Sequence, residues 1–146
     1  MQKQTEFIAR GFIPQSGKIL LCKRKDRDYY FFPGGHIEFG EYTEEALKRE
    51  IKEEIDTDVT SCNFIGISEN IFEDPFEKKI HHELNIFFET KIQDEDVHAM
   101  EDYLEFNWLS TEEFLKADIK PISQKNAIIQ WTKDKKSFWV RENIKK

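Results

Sequence analysis

Three glutamates in one short segment are the residues of this chain whose types and spacing best fit catalytic chemistry. The segment from Pro33 to Asp58 reads PGGHIEFGEYTEEALKREIKEEIDTD and contains Glu50, Glu53 and Glu54. Carboxylate oxygens are the ligands that Mg²⁺ takes in proteins, usually together with the phosphates of a substrate. The competing interpretation is an ordinary solvated acidic helix face, whose charge is offset by neighbouring Arg and Lys side chains.

A helix predicted over Thr43 to Ile55 sets the glutamates beside the core. Leu47, Ile51 and Ile55 recur at every fourth position, and no Gly or Pro interrupts them. At roughly 100° per residue, the three glutamates share an arc that borders this apolar stripe. Like charges at such spacing disfavour a helix by about a few tenths of a kcal/mol per pair, and partial burial increases the repulsion. The helix therefore carries charge where it destabilises the helix itself.

Two glycines come shortly before this helix. Gly34 and Gly35 follow Pro33 at the end of a short predicted strand. Glycine lets the backbone approach a ligand or metal closely, and backbone groups near a helix start can contact phosphate. A turn that ends the strand would explain the glycines alone, but their association with the carboxylates favours a cation site.

The spacing of these residues resembles the signature of the Nudix hydrolase family. That signature is Gly, five residues, Glu, seven residues, and then Arg-Glu-apolar-any-Glu-Glu-any-Gly-apolar. Here five residues separate Gly35 from Glu41, and seven separate Glu41 from Arg49. The positions after Arg49 match as Glu50, Ile51, Glu53 and Glu54. We call the segment Gly35 to Thr57 the Nudix box.

The end of the box departs from the family pattern. Asp56 stands where the family has Gly, and Thr57 replaces an apolar residue. The family's Gly commonly adopts the left-handed conformation that ends a helix, and Asp tolerates that conformation better than most residues, at some energetic cost. The departure concerns helix termination rather than a proposed ligand. It also favours an alternative function, a degenerate Nudix-like domain that binds a nucleotide or metabolite as a sensor.

The resemblance implies an α/β/α sandwich that hydrolyses the diphosphate linkage of a nucleoside diphosphate derivative or related organic pyrophosphate, by water attack at phosphorus. It implies Mg²⁺ or Mn²⁺ as the cofactor, held by Glu50, Glu53 and Glu54. The carbonyl of Gly35 is a further candidate ligand. Arg49 is then expected to hold a carboxylate in place rather than touch substrate. Relatives often dimerise, so the resemblance also admits a homodimer.

The general base differs among family members, and two sets of candidates stay open. Glu53 is our first candidate, and Glu54 is the other glutamate of the box. A carboxylate on a distant loop is the alternative, and the candidates there are Glu101, Asp102 and Glu105. For each of these three, an ordinary solvated loop residue is the competing interpretation and the commoner one.

Three positions are candidates for substrate contact. Arg24 ends a predicted strand, and a guanidinium suits bidentate contact with phosphate. His36 follows Gly35 and could touch substrate or a metal-bound water, while the backbone of Gly35 could approach phosphate. An exposed strand-end charge and a solvated loop histidine are the competing interpretations of Arg24 and His36.

The remaining sequence predicts one α/β domain over residues 1–146. Strands are predicted over Thr5–Ile13, Lys18–Lys23, Tyr29–Phe32, Val59–Ile67, Ile80–Thr90 and Phe106–Leu109. Ser110 and Glu113 predict a capping box for a helix through Leu115, and Pro121 predicts the first turn of a last helix that runs to about Trp131. Strands on both sides of helices favour a mixed sheet. The tail from residue 137 carries no assignment.

Two features of the sequence concern a region outside the box. Glu73-Asp74-Pro75 is predicted as part of a loop, and the following strand begins near His81, His82 and Glu83. Because side chains alternate across a strand, His82 or Glu83 could line a pocket. A strand near a sheet edge is the interpretation we favour.

Composition restricts the classes of partner and location. The chain has 29 acidic and 22 basic residues, a net charge of −7, whereas nucleic-acid binders normally present a basic patch. No run approaches the roughly eighteen apolar residues of a membrane span, and the first residues lack the apolar stretch of a signal peptide. Cys22 and Cys62 lack disulfide or metal-site spacing. We expect a cytoplasmic protein with a small nucleotide-type substrate and no nucleic-acid or membrane partner.

Overall fold

The computed structural model of the chain describes residues 2–144. Its strands are β1 (Gln2–Phe12), β2 (Pro14–Gln15), β3 (Lys18–Arg24), β4 (Tyr30–Phe31), β5 (Gly34–His36), β6 (Val59–Asp74), β7 (Lys79–Ile92), β8 (Leu104–Ser110) and β9 (Phe138–Ile144). Its helices are α1 (Thr43–Ile55), α2 (Thr111–Lys116) and α3 (Ile122–Asp134).

The strands form one mixed and one antiparallel sheet. The mixed sheet has the order β5-β1-β7-β6-β9. In it β1 is parallel to β7 and β6 is parallel to β9, whereas the other pairs are antiparallel. In the smaller sheet β3 pairs with β2, β4 and β8, always antiparallel.

Two apolar clusters, one on each face of the strands, hold the helices. Leu20 of β3 packs in the cluster that contains Leu47 and Ile51 of α1. Its neighbour Leu21 packs in the cluster that contains Ile128 and Trp131 of α3. The uninterrupted apolar run of β3 is explained by burial on both faces. The architecture is the α/β/α sandwich that the resemblance implied.

Helix α1 has the predicted bounds and the predicted buried face. Its last residue is followed by Asp56 in the left-handed conformation, with φ 51°, and the Asp56 N–H donates to the Lys52 carbonyl at 3.0 Å. Thr57 is buried, and its hydroxyl donates to Asp94 Oδ2 at 2.9 Å and accepts from the Asp94 N–H at 3.1 Å. The departures from the family pattern are therefore accommodated without loss of the helix end.

The β6–β7 hairpin differs from the prediction. Glu73 and Asp74 end strand β6 rather than lie in a loop, because the two long strands pair in register up to Asp74 and Lys79. Strand β7 lies between β1 and β6, so the expectation of a strand near a sheet edge was wrong. Gly34 and Gly35, for which a turn was one interpretation, instead pair with β1 together with His36 as β5.

The C-terminal third contains the predicted helices and one further strand. Ser110 and Glu113 form the predicted capping box of α2. Pro121 is the residue before α3 rather than its first turn. In the unassigned tail, Phe138–Ile144 forms β9, which extends the mixed sheet beside β6, and residues 145–146 lie outside the described part of the chain. Within residues 2–144, no helix combines the length and apolar content needed to cross a membrane.

Candidate active site

Arg49 makes most of the polar contacts of the box. Its Nε and Nη2 donate to the two oxygens of Glu41 at 2.7 and 3.0 Å. Its Nη1 donates to Glu50 Oε1 at 3.0 Å, and Nη2 also donates to the carbonyl of His36 at 3.0 Å. The hydrogen bond from Arg49 holds the pKa of Glu41 below its ordinary value. A bidentate pair of this kind fixes orientation as well as charge, so Arg49 joins α1, β5 and the loop between them.

Gly35 is required by the carboxylate of Glu50. A Cβ at position 35 would overlap with Cδ and Oε2 of Glu50 and would lie 2.7 Å from Oε1. A side chain at position 35 would force the Glu50 carboxylate, which Arg49 holds, to move, so the glycine lets β5 approach that carboxylate closely. The fixed spacing from Gly35 to Glu50 therefore has a steric explanation in this chain.

Glu54 lies beside Glu50 and is largely enclosed by protein. Burial and the negative charge of Glu50 raise the pKa of Glu54 to about 8, against an opposing effect of Arg10. The two carboxyl groups are close enough to share a hydrogen bond. Their oxygens are hard donors of the kind that Mg²⁺ and Mn²⁺ take, and a divalent cation would supply the missing positive charge. The residues present fit such an ion.

Glu53 does not join this pair. Its side chain is 59% exposed and contacts Arg49 Nη1 at 3.3 Å. Among residues 2–144, the groups of three metal-ligating side chains whose ligand atoms lie within 4.8 Å of one another are found elsewhere. The expected convergence of three carboxylates is thus seen for Glu50 and Glu54 but not for Glu53, whose side chain is mostly exposed.

The loop with the alternative bases lies against the C-terminal end of α1. The Met100 N–H donates to the carbonyl of Glu54 at 2.8 Å, which brings the adjacent Glu101 and Asp102 close to the box. Glu105 is the second residue of β8, where it accepts a hydrogen bond from Asn107 at 3.1 Å. Both sets of candidate bases are therefore found near the end of α1 or on the strand that follows this loop.

A cleft of about 530 Å³ opens next to the box. His36, the neighbour of Gly35, lines it, and so does Arg24. The other basic residues of its wall are Arg10, Arg27, Lys79 and Lys120, and the aromatic ones are Tyr29, Phe31 and Phe72. Five acidic residues also line the wall, whereas Glu50 and Glu54 do not: Glu6, Glu73, Asp74, Glu77 and Glu83. The cleft therefore combines cations, carboxylates and flat rings.

Comparison with known proteins identifies the family of this fold and site. The family model described as the NUDIX domain matches residues 5–131. The chain belongs to the Nudix hydrolase family. The nucleoside triphosphatase NudI of Escherichia coli is 30% identical over 130 residues, which cover 81% of this chain and 91% of that protein.

Solved structures support the fold of this Nudix hydrolase. The MutT protein of Methanosarcina mazei Go1 superposes with a TM-score of 0.69 at 20% identity, covering 93% of this chain and 99% of that one. The MutT protein of Bacillus halodurans gives a TM-score of 0.65 at 22% identity, covering 85% and 78%. These comparisons confirm the sandwich architecture.

Of the predicted substrate contacts, two lie in the cleft of the Nudix hydrolase. The Arg24 Nε lies 3.1 Å from Asp26 Oδ1, and its guanidinium lies over the Tyr103 ring at 5.2 Å. His36 Nε2 hydrogen-bonds with Glu6 Oε1 at 2.6 Å. Gly35 lies instead against Glu50 and is not among the residues that line the cleft.

Arg10 is a site residue that sequence reasoning missed. Its Nε donates to Asn85 Oδ1 and its Nη1 to the carbonyl of Phe32, both at 3.0 Å. The charge of Arg10 acts on Glu54, and the side chain lines the cleft. The available signal was one basic residue within the largely apolar run from Phe7 to Ile13.

Glu6 is the second missed residue. It is buried and contacts two histidines, His36 at 2.6 Å and His81 Nδ1 at 2.5 Å. Burial would raise the pKa of Glu6, but the hydrogen bonds from His36 and His81 outweigh it and hold the pKa below its ordinary value. Because Glu6 and His81 lie 75 positions apart in the chain, no local pattern links them.

Proposed function

We propose that this Nudix hydrolase cleaves the diphosphate linkage of a nucleoside triphosphate or nucleoside diphosphate derivative, with Mg²⁺ or Mn²⁺ bound at the box. The observation that carries the proposal is a pair of neighbouring carboxyl groups, Glu50 against Gly35 and the enclosed Glu54 beside it, whose pKa is raised to about 8 despite the opposing charge of Arg10. The name of the Escherichia coli relative, a nucleoside triphosphatase, supports this substrate class.

Glu50, Glu53 and Glu54 would hold the cation, with the carbonyl of Gly35 as a further ligand. When bound, a divalent ion neutralises phosphate charge and lowers the pKa of the attacking water. Arg49 is a positioning residue, since its donors are directed to Glu41, Glu50 and Glu53 rather than to the cleft. It keeps the Glu50 carboxylate aligned against β5.

Glu53 remains our first candidate for the general base. It is exposed, so water reaches it, and a base must lie within hydrogen-bonding reach of the water that it deprotonates. Glu54, Glu101, Asp102 and Glu105 are the alternatives. In each case the proton leaves the attacking water and moves to a carboxylate oxygen.

The cleft would bind the nucleotide. Arg24 and His36 contact phosphate in this proposal, and Arg10 faces the same space from the floor formed by β1. A guanidinium matches the geometry of phosphate oxygens, and Tyr29 or Phe31 offers a ring on which a base can stack. The volume of the cleft lies within the range of roughly 300–1,000 Å³ that is typical of small-molecule sites.

The sensor alternative depended on Asp56 and Thr57. Asp56 supplies the left-handed helix end that Gly supplies in the family, and Thr57 is paired with Asp94. The departures therefore leave the carboxylates of the box in position, and they no longer favour a non-catalytic domain.

We further propose a cytoplasmic protein whose residues 1–146 form a single domain. The free state of Cys22 and Cys62 supports a reducing compartment. A homodimer stays a prediction, and sedimentation of the purified chain tests it directly.

A panel of substrates tests the reaction. The purified protein is incubated with Mg²⁺ and nucleoside triphosphates, nucleotide sugars, ADP-ribose and dinucleoside polyphosphates, and the products are separated by anion exchange. We expect a nucleoside monophosphate from at least one of them, formed only when the metal is present, with the oxygen of isotopically labelled water in one phosphate product. Tight nucleotide binding without any cleavage would contradict the proposal and favour the alternative of a nucleotide-binding sensor domain.

A further inference from the structure

A second cluster of metal-ligating side chains lies along the same cleft, on the β6–β7 hairpin. Asp74 ends β6, Glu77 lies in the turn, and His81 lies in β7. One ligand atom from each lies within 4.8 Å of the other two. The three residues come from a segment outside the Nudix box, and all of them line the cleft.

His81 is held in a fixed orientation. Its residue is 6% exposed, and its ring stacks on that of Phe72 with 4.9 Å between centroids and 10° between planes. Its Nδ1 contacts the carboxylate of Glu6, which His36 contacts from the other side. An ionised carboxylate only accepts hydrogen bonds, so Nδ1 carries a proton, and in the neutral ring Nε2 is then the nitrogen with the lone pair. Metal-bound histidines are commonly oriented by a carboxylate in this way.

The Nε2 of His81 has no hydrogen-bond partner among residues 2–144, and it is inaccessible to solvent. The nearest described carboxylate contact is Glu77 Oε1 at 3.6 Å, which is longer than a hydrogen bond. A buried ring nitrogen with a free lone pair requires a donor or a cation. A metal ion between Nε2 and the carboxylates would satisfy it.

Asp74 and Glu77 supply oxygen atoms to the same space. Asp74 Oδ1 accepts hydrogen bonds from the N–H groups of Phe76 at 2.8 Å and Glu77 at 3.3 Å, which fixes its orientation. The carboxyl groups of Asp74 and Glu77 are close enough to share a hydrogen bond. Arg27 offsets part of the charge of Asp74, but its guanidinium is stacked on the Phe76 ring at 3.9 Å.

We propose that Asp74, Glu77 and the Nε2 of His81 form a binding site for a divalent transition-metal ion, with Zn²⁺ as the best match. One imidazole nitrogen and two carboxylates are a donor set that Zn²⁺ takes, with water in the remaining position. Mg²⁺ prefers oxygen ligands alone, which the box supplies. Glu6 acts as the carboxylate that orients His81. The site goes beyond the proposed reaction and does not depend on it.

Calorimetry with ZnCl₂ tests the site in the full-length chain. The protein is first stripped with a chelator and then titrated in a large excess of Mg²⁺, which occupies the carboxylates of the box. We expect one Zn²⁺ to bind per chain. Glu77→Gln and Asp74→Asn should each weaken this binding at least about tenfold, and Asp74→Asn keeps a side-chain oxygen for the turn. Glu112→Gln on α2, an exposed change with the same loss of charge, should leave it unchanged.

Nitrogen NMR of the histidine rings provides a second readout that needs no variant of the buried His81. On addition of Zn²⁺, the His81 Nε2 resonance should shift strongly while Nδ1 keeps its proton, and the rings of His82 and His98 should not respond. The proposal is overturned if no Zn²⁺ binds, if Glu77→Gln and Asp74→Asn bind it as the wild type does, or if Glu50→Gln alone abolishes binding. Since neither experiment contains substrate, these results are independent of the outcome of the substrate panel.

Discussion

The two long helices on opposite faces of the sheet differ in how their ionisable side chains near the core are paired. Both α1 and α3 have 13 residues. In α3 the side chain of Lys125 is buried, with 8% exposed, and its Nζ donates to the carbonyls of Leu115 and Ala117 at 2.8 and 2.7 Å. In α1 the enclosed carboxyl of Glu54 lies beside another carboxyl, that of Glu50, and its pKa is raised to about 8.

The difference separates a helix built for stability from one whose edge serves a ligand. A buried charge that is fully hydrogen-bonded, like Lys125, follows the general rule for protein interiors. A pair of like charges breaks that rule, and natural proteins break such rules chiefly at functional sites. The unfavourable proximity of the carboxyl groups of Glu50 and Glu54 in α1 is thus explained if they bind a cation.

Glu54→Gln should have the largest effect on activity. The change removes one charge at the box with little change in shape, so we expect turnover with Mg²⁺ to fall at least about tenfold, or about 1.4 kcal/mol in barrier height. Steady-state hydrolysis of the best substrate from the panel measures it. Glu53→Gln should lower turnover to a similar extent if Glu53 is the base. Glu112→Gln serves as the control, and full turnover in both box variants would show the site assignment to be wrong.

Lys125→Met should remove the hydrogen bonds that stabilise the buried charge of α3, and so lower stability rather than activity. The carbonyls of Leu115 and Ala117 lose their donor, so the free energy of unfolding should fall by about 1–3 kcal/mol. Urea denaturation measures this, with the exposed Lys116→Met as the control. Turnover per folded molecule should stay at the wild-type level. A loss of turnover without loss of stability would contradict the division of roles between the helices.

Glu54→Gln should also stabilise the protein when metal is absent. A carboxyl whose pKa is raised to about 8 in the folded state costs stability at neutral pH, so its replacement by an amide should raise the free energy of unfolding in chelator by about 1–2 kcal/mol. Added Mg²⁺ should then stabilise the wild type more than the variant, because the ion binds the folded state. Thermal unfolding with and without Mg²⁺ measures both effects. A variant less stable than the wild type in chelator would mean that the Glu54 carboxylate is compensated within the protein.

The smallest expected effect is the pH dependence of the stability that the Glu41–Arg49 pair contributes. The hydrogen bond from Arg49 lowers the pKa of Glu41 from its ordinary value of 4.5, so the unfolded chain takes up the proton more readily than the folded one. The stabilisation from this pair is therefore complete above that value and is lost as the pH falls through the lower, folded pKa. Urea denaturation of wild type and Glu41→Gln should show a difference at neutral pH that shrinks in acid. A constant difference across this range would exclude a contribution from ionised Glu41.

The box could be predicted from the sequence because it is local. Gly35, Glu41, Arg49 and the glutamates lie on one continuous segment, where helical periodicity and fixed spacing determine which side chains meet. The spacing did not indicate that the side chain of Glu53 would stay exposed beside Arg49, since that depends on how the side chains of the folded site share one guanidinium.

The other wall of the cleft could not be predicted, because it depends on strand register. Glu6 meets His81 since β1 and β7 run parallel and in a particular alignment, and the two strands are far apart in the sequence. The same holds for the parallel pairing of β9 with β6, which gives the unassigned tail its structure. The pairing of β6 with β7 also extends as far as Asp74, so Asp74 ends a strand where a loop was predicted.

The central claim is that the carboxylates at the edge of α1 hold a divalent cation. Calorimetric titration of Mn²⁺ into the chelator-treated protein, with nucleotide absent and then present, tests it most directly. The account predicts that the wild type binds the ion and that the double variant Glu50→Gln/Glu54→Gln loses this binding while remaining folded. Absence of Mn²⁺ uptake by the wild type under both conditions, or equal uptake by the double variant, would contradict it.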